Sequence, residues 1–437
     1  MKRYKLLNNV LGWAVFVIAA VTYILTLEST ASFWDCGEFI ASGYKLEVGH
    51  PPGNPIFMLT ARFFANFASS PSEVAYMVNL MSGLLSAATI LLLFWTITRL
   101  AQKIVLREGE TEETMSLGQM IAILGSGLVG ALAYAWSDTF WFSAVEGEVY
   151  AYSSFCTALV FWLILKWESV ADLPHANRYI ILIAYIIGVS IAVHLLNLLC
   201  IPAIVLVYYY RKYKNTDLKG SLIALLVSFV LIVLLLYGLV PGFVEVAGWV
   251  ELLFVNVFHL PFNSGVVFYF FLIVGVIAWA IYETYAQRSD KLIKISFLIS
   301  IVLVGIPFIG DGYIIGIVLT AALAYYLFTR KKLAVVAMNT ILLSLFVIFI
   351  GYSSYALIVI RSTANTPMDQ NSPEDIFSLG GYLNREQYGD RPLFYGQTFP
   401  AEIARDANGT AISTKGKAIW KKKLKTSEDE ADRYIVT

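Results

Sequence analysis

The stretch AYMVNLMSGLLSAATILLLFWTITRL, residues 75–100, decides the fold class. It carries no charged side chain before Arg99, near its end. A helix needs about 20 mostly apolar residues to cross the hydrocarbon core of a bilayer, and this run supplies them. The stretch therefore predicts a transmembrane helix that reaches a polar region at Arg99.

Ten further apolar runs indicate that the chain crosses the membrane many times. Of its 437 residues, 58% are hydrophobic and 14% are charged, whereas about 25% of the residues of a soluble globular protein are charged. We therefore predict an all-α polytopic membrane protein, a bundle of about eleven transmembrane helices. The predicted spans are 10–27, 75–100, 118–137, 148–167, 179–195, 197–210, 220–240, 265–286, 294–310, 313–329 and 333–359.

The charge balance and the rare residue types argue against several classes of protein. The formal net charge is zero, so nothing predicts binding to nucleic acid. Three cysteines and four histidines are too few and too scattered for a disulfide framework or a zinc site. We expect no metal site and no nucleic acid partner.

The basic residues are distributed unevenly between the two sides of the predicted bundle. Cytoplasmic loops of membrane proteins carry an excess of Lys and Arg. If the N-terminus lies inside, eighteen basic residues fall in the inner loops, and only Lys45 and Arg62 fall in the outer loops before Ile360. We therefore predict a cytoplasmic N-terminus and an extracytoplasmic tail.

The segment 54–67 is apolar enough to be mistaken for a further span. It is short and contains Arg62, and a crossing here would move fifteen basic residues to the outside. Its apolar residues repeat at helical spacing, which favours a helix that lies at the outer interface. These residues are Ile56, Leu59, Phe63 and Phe67.

The first outer loop contains the stretch WDCGEFIASGYKLEVGHPPGNP, residues 34–55. A helix that starts near Trp34 places Asp35 and Glu38 on one face, because they are three residues apart. His50 precedes two prolines and a glycine, which end the helix and turn the chain. A carboxylate at the membrane surface can act as a general base toward a hydroxyl group. The alternative is a pair of solvated loop carboxylates.

A second acidic group lies in the next outer loop, WSDTFWFSAVEGEVYAYS, residues 136–153. Glu146 lies just before the fourth predicted span, Glu148 stands at its start, and Tyr150 lies one step into it. Carboxylates so close to the hydrocarbon are unfavourable unless they are paired, hydrated or required for function. The alternative is that these acids only keep the loop hydrated. His194, near the outer end of the fifth span, is a further candidate; a histidine satisfied by a neighbouring helix explains it equally well.

A phosphate-bearing substrate requires cationic or N–H partners. Few residues on the predicted outer side can supply them before the tail begins. The candidates are Lys45, His50, Arg62, His259 and Arg361.

Three motifs occur together: WDCGEF…GHPPGNP in the first outer loop, EGEVYAYS at residues 146–153, and SLGGYLNREQYGDRPLFYG at residues 378–396. In this combination the chain resembles, over roughly residues 1–400, a membrane family of formerly unknown function. That family is abundant in Bacteroidetes and is related to the transmembrane protein 260 O-mannosyltransferases. The resemblance implies a GT-C-like bundle with interfacial helices in the first outer loop.

The resemblance also implies an activity: transfer of a sugar, expected to be mannose, from a polyprenyl-phosphate donor to Ser or Thr of exported proteins. It implies that Asp35 is the catalytic carboxylate, with Glu38 beside it. The donor is a substrate, and no cofactor is implied. The residues expected to bind donor or acceptor are His50, Arg62, Glu146, Glu148, Tyr150, His194 and Arg361.

One stretch departs from the family pattern. IRSTANTPMDQNSPED, residues 360–375, matches it only loosely, and we assign this stretch no site contact beyond Arg361. We interpret residues 1–360 as the transmembrane catalytic module. Residues 361–437 then form an extracytoplasmic polar tail, which we expect to be the start of a truncated soluble region.

A polytopic transporter or lipid flippase is the main alternative function, and a membrane scaffold is a third. Transporters tend to show internal repeats, paired broken helices and charges near the bilayer midplane. Here the acidic residues cluster at the outer surface, which favours chemistry at the interface. We expect the protein in a bacterial inner membrane, with a periplasmic C-terminus. Its expected partners are a lipid-linked sugar donor, exported acceptor proteins and membrane lipid.

The orientation can be tested with single cysteines in a background that lacks Cys36, Cys156 and Cys200. We expect a membrane-impermeant thiol reagent, added to intact cells, to label a cysteine at Lys45 and to spare one at Lys212. Both positions should react after the membrane is opened, which controls for accessibility. Labelling at Lys212 in intact cells would reverse the assignment.

Overall fold

A computed structural model describes residues 2–309, 313–330, 332, 334–389, 396, 398–412 and 418–437. Most of these residues are helical, and the first helix already starts at Lys2. The helices are α1 (Lys2–Leu25), α2 (Cys36–Lys45), α3 (Pro55–Ala65), α4 (Val74–Val105), α5 (Leu117–Ala135), α6 (Asp138–Ala144), α7 (Val149–Val170), α8 (Arg178–Ile191), α9 (Ile201–Lys212), α10 (Leu218–Val233), α11 (Val240–Leu252), α12 (Ser264–Ala286), α13 (Asp290–Leu303), α14 (Tyr313–Thr329), α15 (Val335–Tyr352), α16 (Ala356–Thr363) and α17 (Ile376–Leu383). Two short strands, β1 (Trp420–Lys422) and β2 (Tyr434–Val436), form an antiparallel pair.

The helices confirm an all-α polytopic membrane protein. Each of the eleven predicted spans coincides with a helix, and in the described ranges eight helical stretches are long and apolar enough to cross a membrane. Three predicted spans correspond to the shorter helices α8, α13 and α14, of 14, 14 and 17 residues. The bounds of α14 agree with the predicted span 313–329, whereas α8 and α13 end four and seven residues before the predicted ends at 195 and 310.

The interfacial segment is helical, as predicted. α3 packs against α2 so closely that a Cβ on Gly43 would lie 2.7 Å from the Cβ of Ala61. Its other side leaves Leu59 and Phe63 44% and 59% exposed. The 11 residues of α3 reach only about 16 Å, roughly half of the hydrocarbon thickness. Such a short helix with one bare apolar side suits a position at the membrane surface.

Helix α4 organises the first half of the bundle. It packs against α1, α5 and α7, and it buries Val78, Ile90 and Phe94 completely. Helix α1 runs from Lys5 toward the loop of Asp35, and α4 returns from that end. We call the end that carries α2 and α3 the Asp35 face, and the opposite end the Lys5 end.

Two glycines bring α8 and α15 together. A Cβ on Gly188 would lie 2.6 Å from the carbonyl oxygen of Ile348, and one on Gly351 would overlap the backbone of Gly188. Small residues permit such a close approach between helices in a membrane. The contact sets the position of His194, which follows α8, relative to Arg361, which follows α15.

The fourth outer loop, expected between 240 and 265, is a loop only at residues 258–263. The chain stays helical from Leu218 to Val257, through α10, α11 and two π-helical segments. The strand pair then docks on the end of this helix, because Tyr434 and Asn256 exchange backbone and side-chain hydrogen bonds at 2.8 and 3.0 Å. The Tyr434 hydroxyl also donates to the buried carboxylate of Glu251 at 3.3 Å. Part of the predicted tail is therefore packed against the bundle.

Candidate functional site

Asp35 lies at the N-terminal end of α2. The helix begins at Cys36, two residues later than the sequence suggested, and Asp35 is its N-cap residue with no hydrogen bond from its side chain to the helix. Its side chain is exposed, and Trp34 beside it is 88% exposed. A carboxylate at this end of a helix is stabilised by the helix dipole. Asp35 is therefore open to a substrate.

Glu38, one turn further, is bound on several sides. The backbone N–H of His50 donates to Glu38 Oε1 at 2.6 Å, and His50 Nδ1 lies 2.8 Å from the same oxygen. Gln370 donates to Glu38 Oε2 at 3.2 Å. Burial alone would raise the pKa of Glu38, but the bonds from His50 and Gln370 lower it. The hydrogen bond to Glu38 raises the pKa of His50.

The turn after α2 is held by a tyrosine from the tail. The Tyr382 hydroxyl donates to the carbonyl oxygen of Gly49 at 2.7 Å and contacts that of His50 at 3.3 Å. Gly53 has a φ of 75°, and a Cβ there would lie 2.7 Å from the Tyr382 hydroxyl. Glycine is required at this position, because a side chain would oppose both the backbone conformation and the contact.

The stretch 360–375 joins the site, contrary to the expectation from its loose match. Val48 donates a backbone hydrogen bond to Met368 at 2.9 Å, and Gln370 returns one to Val48 at 3.1 Å. These bonds form a parallel bridge that places the Gln370 side chain beside Glu38. A single residue at each end of the bridge leaves no alternating pattern in the sequence, so the contact could not be read from it.

Arg62 and Arg361, two of the five candidate phosphate partners, both bind the C-terminal end of α2. Arg361 donates to the carbonyl oxygens of Leu46 at 2.6 Å and Lys45 at 3.3 Å. Arg62 donates to the carbonyl oxygen of Tyr44 and lies over the Tyr44 ring. Cations are favourable at a helix C-terminus, where carbonyl groups lack partners. Both guanidinium groups thus hold α2 in place, at the opposite end of the helix from Asp35.

The second acidic pair is buried directly before α7. Glu146 and Glu148 are 4% and 6% exposed. Burial raises the pKa of Glu146, and burial, together with the charges of Glu146 and Asp35, raises the pKa of Glu148 to about 7. Asn79 on α4 donates to the carbonyl oxygens of Glu28 and Thr30 at 2.7 and 3.0 Å, which fixes the segment that leads to Asp35.

An arginine that was not among the predicted site residues lies close enough to act on this site through its charge; its guanidinium lies over the ring of Tyr388, 4.8 Å from the ring centroid. Arg385 follows α17, where its N–H donates to the carbonyl oxygen of Tyr382 at 3.1 Å. Its charge acts on His50, and after burial it is the second cause that lowers the pKa of His194. The His194 ring lies 5.4 Å from that of Tyr150. The only sequence signal for Arg385 was its place in the motif SLGGYLNREQYGDRPLFYG.

The predicted site residues are therefore divided between two places on the Asp35 face. Four of them, Asp35, Glu38, His50 and Glu148, interact through hydrogen bonds or charge, and Arg385, which was not predicted, acts on His50 through its charge. Arg62 and Arg361 lie at the far end of α2. Within the described segments, no group of three or more His, Cys, Asp or Glu side chains is placed to hold a metal ion. The fold and site are those of a polytopic membrane protein with an acidic and basic cluster on one face.

Residues 35–217 match the family described as the Protein O-mannosyl-transferase TMEM260 N-terminal domain. The chain is 27% identical to mouse Protein O-mannosyl-transferase TMEM260 over 210 residues, which are 48% of this chain and 27% of that protein. It is 23% identical to the Dictyostelium discoideum protein of the same name over 190 residues, which are 42% of this chain and 21% of that protein. No solved structure matches the chain significantly.

The chain is thus related to the TMEM260 protein O-mannosyl-transferases. It spans about a quarter of the length of the curated relatives it matches. The family match contains Asp35, Glu38, His50 and Glu148, whereas Arg385 lies beyond it. The matched part of the chain carries most of the acidic cluster.

The burial of Glu148 predicts a pH-dependent effect of Glu148→Gln on stability. The folded-state pKa, about 7, lies above the ordinary value of 4.5, so folding opposes ionisation of this group. The resulting cost is absent below about pH 4.5, grows by about 1.4 kcal/mol per pH unit up to pH 7 and then levels off. Relative to the unsubstituted protein, the Gln variant should gain thermal stability from pH 5 to pH 7 and gain no more by pH 8.

Thermal unfolding of the purified proteins in detergent at pH 5, 6, 7 and 8 measures this difference. Glu108→Gln is the matched control, because Glu108 is exposed and its replacement should shift stability equally at each pH. A difference for Glu148→Gln that stays constant across the series would mean that Glu148 ionises normally in the folded protein.

Proposed function

We propose that this protein is a membrane glycosyltransferase that works on the Asp35 face, which is the extracytoplasmic side. It transfers mannose from a polyprenyl-phosphate donor to Ser or Thr of exported proteins. The observation that carries the proposal is the exposed carboxylate of Asp35, whose charge acts on His50 and on the buried Glu148, in the segment related to O-mannosyl-transferases. The cytoplasmic N-terminus, the bacterial inner membrane and the GT-C type of fold belong to the same proposal.

In the proposed reaction Asp35 is the general base. The hydroxyl oxygen of the acceptor forms a bond to the anomeric carbon of the sugar, and the bond from that carbon to the phosphate oxygen breaks. The hydroxyl proton passes to Asp35, and the lipid phosphate leaves with the electron pair. Asp35 suits this role because its side chain has no capping bond to release and faces solvent.

The other two carboxylates fit different roles. Glu38 already accepts hydrogen bonds from His50 and Gln370, so its oxygens are less available to an acceptor hydroxyl. We assign it the role of positioning α2 and His50. Glu148 is buried, with a pKa of about 7 that the charge of Asp35 helps to raise. Its protonation would reduce repulsion between the acids and the negatively charged donor.

The donor phosphate requires a cation that lies close to Asp35 without forming an ion pair with Asp35. Arg62 and Arg361 already bind the carbonyl oxygens at the end of α2. Arg385 fits this requirement better, because its charge acts on both His50 and His194. Its guanidinium offers two donors in one plane to a phosphate. We therefore assign the phosphate to Arg385, with His50 and His194 beside it.

Asp35→Asn tests the catalytic assignment. Asn is nearly isosteric and is also a good N-cap residue, so folding and donor binding should persist while proton removal fails. General-base catalysis contributes about 10²–10⁴-fold, and turnover should fall by that factor. The measurement is sugar transfer by the purified chain from labelled polyprenyl-phosphate mannose to a Ser/Thr peptide.

Asp138→Asn is the matched control, since Asp138 is an exposed aspartate at the start of α6 on the same face. It should leave transfer unchanged, and Glu38→Gln should cost less than Asp35→Asn. Near-normal transfer by Asp35→Asn, with transfer abolished by Glu148→Gln, would move the base to the second loop. Uptake or flipping of the lipid without sugar transfer would instead identify a transporter.

Arg385→Gln tests the phosphate assignment. A hydrogen bond to a charged group contributes about 1.5–3 kcal/mol, so donor affinity should fall roughly ten- to a hundredfold while the KM for the acceptor peptide changes little. Arg405→Gln is the control, because Arg405 lies in the tail and contacts Gly409. A larger loss of donor affinity in Arg361→Gln than in Arg385→Gln would return the phosphate to the end of α2.

A further inference from the structure

A cavity of about 500 Å³ lies at the Lys5 end, far from the proposed catalytic cluster. It opens between the start of α1 and the C-terminal ends of α4 and α7. Its volume falls in the range of roughly 300–1,000 Å³ typical of small-ligand sites. Neither the acidic motifs nor the proposed reaction accounts for it.

Three cations line this cavity: Lys5, Arg99 and Lys166. Lys5 lies 3.8 Å from Glu112, a further lining residue. In the described part of the chain, no carboxylate lies within ion-pair distance of Arg99 or Lys166. The hydrogen bond that Arg99 makes within the described residues goes to the neutral side chain of Gln102, at 3.3 Å. The wall thus carries an excess of positive charge that suits an anion.

A buried acceptor supplies a second, independent feature. The side-chain oxygen of Asn8 is shielded from solvent and has no hydrogen-bond partner among the described residues. A buried acceptor without a donor costs free energy, so such a group is normally satisfied by a ligand or water. An anion with a free hydroxyl group would satisfy both the cations and Asn8.

Two tryptophans place the cavity at the level of the lipid headgroups. The rings of Trp95 and Trp162 lie 5.8 Å apart, and the ammonium of Lys166 lies 4.9 Å from the Trp162 ring. Tryptophans are enriched at membrane–water interfaces. Below them α1 exposes Val10 and Trp13, each 54% exposed, which provides an apolar surface for acyl chains next to the cavity.

We propose that this cavity binds the headgroup of an anionic phospholipid with free hydroxyl groups, of the phosphatidylglycerol type. Arg99 and Lys166 hold the phosphate, and Asn8 accepts a hydrogen bond from a headgroup hydroxyl. The acyl chains lie along the exposed side of α1. Basic pockets between helices on the cytoplasmic side are suited to such headgroups. The site does not depend on the proposed transfer reaction.

The test is binding of phosphatidylglycerol to the purified full chain in detergent, measured by native mass spectrometry. Phosphatidylcholine, which lacks the net charge and the hydroxyl groups, is the comparison lipid, and glycerol 3-phosphate is the soluble competitor. We expect the unsubstituted chain to retain phosphatidylglycerol selectively, and glycerol 3-phosphate to compete poorly. In the double variant Arg99→Gln/Lys166→Gln, affinity should fall at least tenfold.

Lys214→Gln is the matched control, because Lys214 is an exposed lysine at the same end but outside the cavity. Lys166→Gln alone keeps the test valid if the double variant misfolds, since Lys166 is exposed and its replacement removes no buried contact. Equal retention of both lipids, equal loss in Lys214→Gln, or full displacement by glycerol 3-phosphate would each overturn the proposal; the last would identify a soluble phosphate as the ligand.

Discussion

The carboxylate of Glu38 joins the three segments from which the Asp35 face is assembled. It accepts hydrogen bonds from the backbone and ring of His50 in the turn after α2, and from Gln370 in the segment after α16. Hydrogen bonds to a charged group contribute about 1.5–3 kcal/mol each, and a partner left unpaired in a buried place costs as much again. Because Tyr382 binds the same turn, the position of Asp35 depends on residues more than 300 positions away in the chain.

Three acids of the same chemical type therefore have three different environments. Asp35 is exposed at a helix start, Glu38 is hydrogen-bonded to His50 and Gln370, and Glu148 is buried. Burial disfavours the charged form of a carboxyl group, whereas a cation and hydrogen bonds favour it. Separate environments allow neighbouring carboxyl groups to serve as base, as structural anchor and as a neutral acid at one pH. The proposed mechanism assigns these three roles to Asp35, Glu38 and Glu148, respectively.

The two proposed sites lie at opposite ends of the bundle and carry different charged groups. The candidate acids Asp35, Glu38 and Glu148 lie on the Asp35 face, and Lys5, Arg99 and Lys166 line the cavity at the Lys5 end. In the proposed orientation the cations of the Lys5 end meet a negatively charged leaflet, and the proposed transfer reaction requires a base and a separate cation on the Asp35 face. The proposed transfer site and the proposed lipid site use these two different sets of charged groups.

The sequence by itself determined the fold class, since long apolar runs can satisfy their backbone groups in a membrane only as helices. It also located α2, α3 and the acids at Asp35, Glu38, Glu146 and Glu148, because these lie in local motifs. It placed the ends of α8 and α13 too late, because hydropathy continues past the end of each helix. The tertiary structure alone brought Gln370, Tyr382 and Arg385 to the first loop and placed Arg62 and Arg361 at the end of α2. Those contacts join residues far apart in the chain through single hydrogen bonds and charges, which leave no periodic pattern in the sequence.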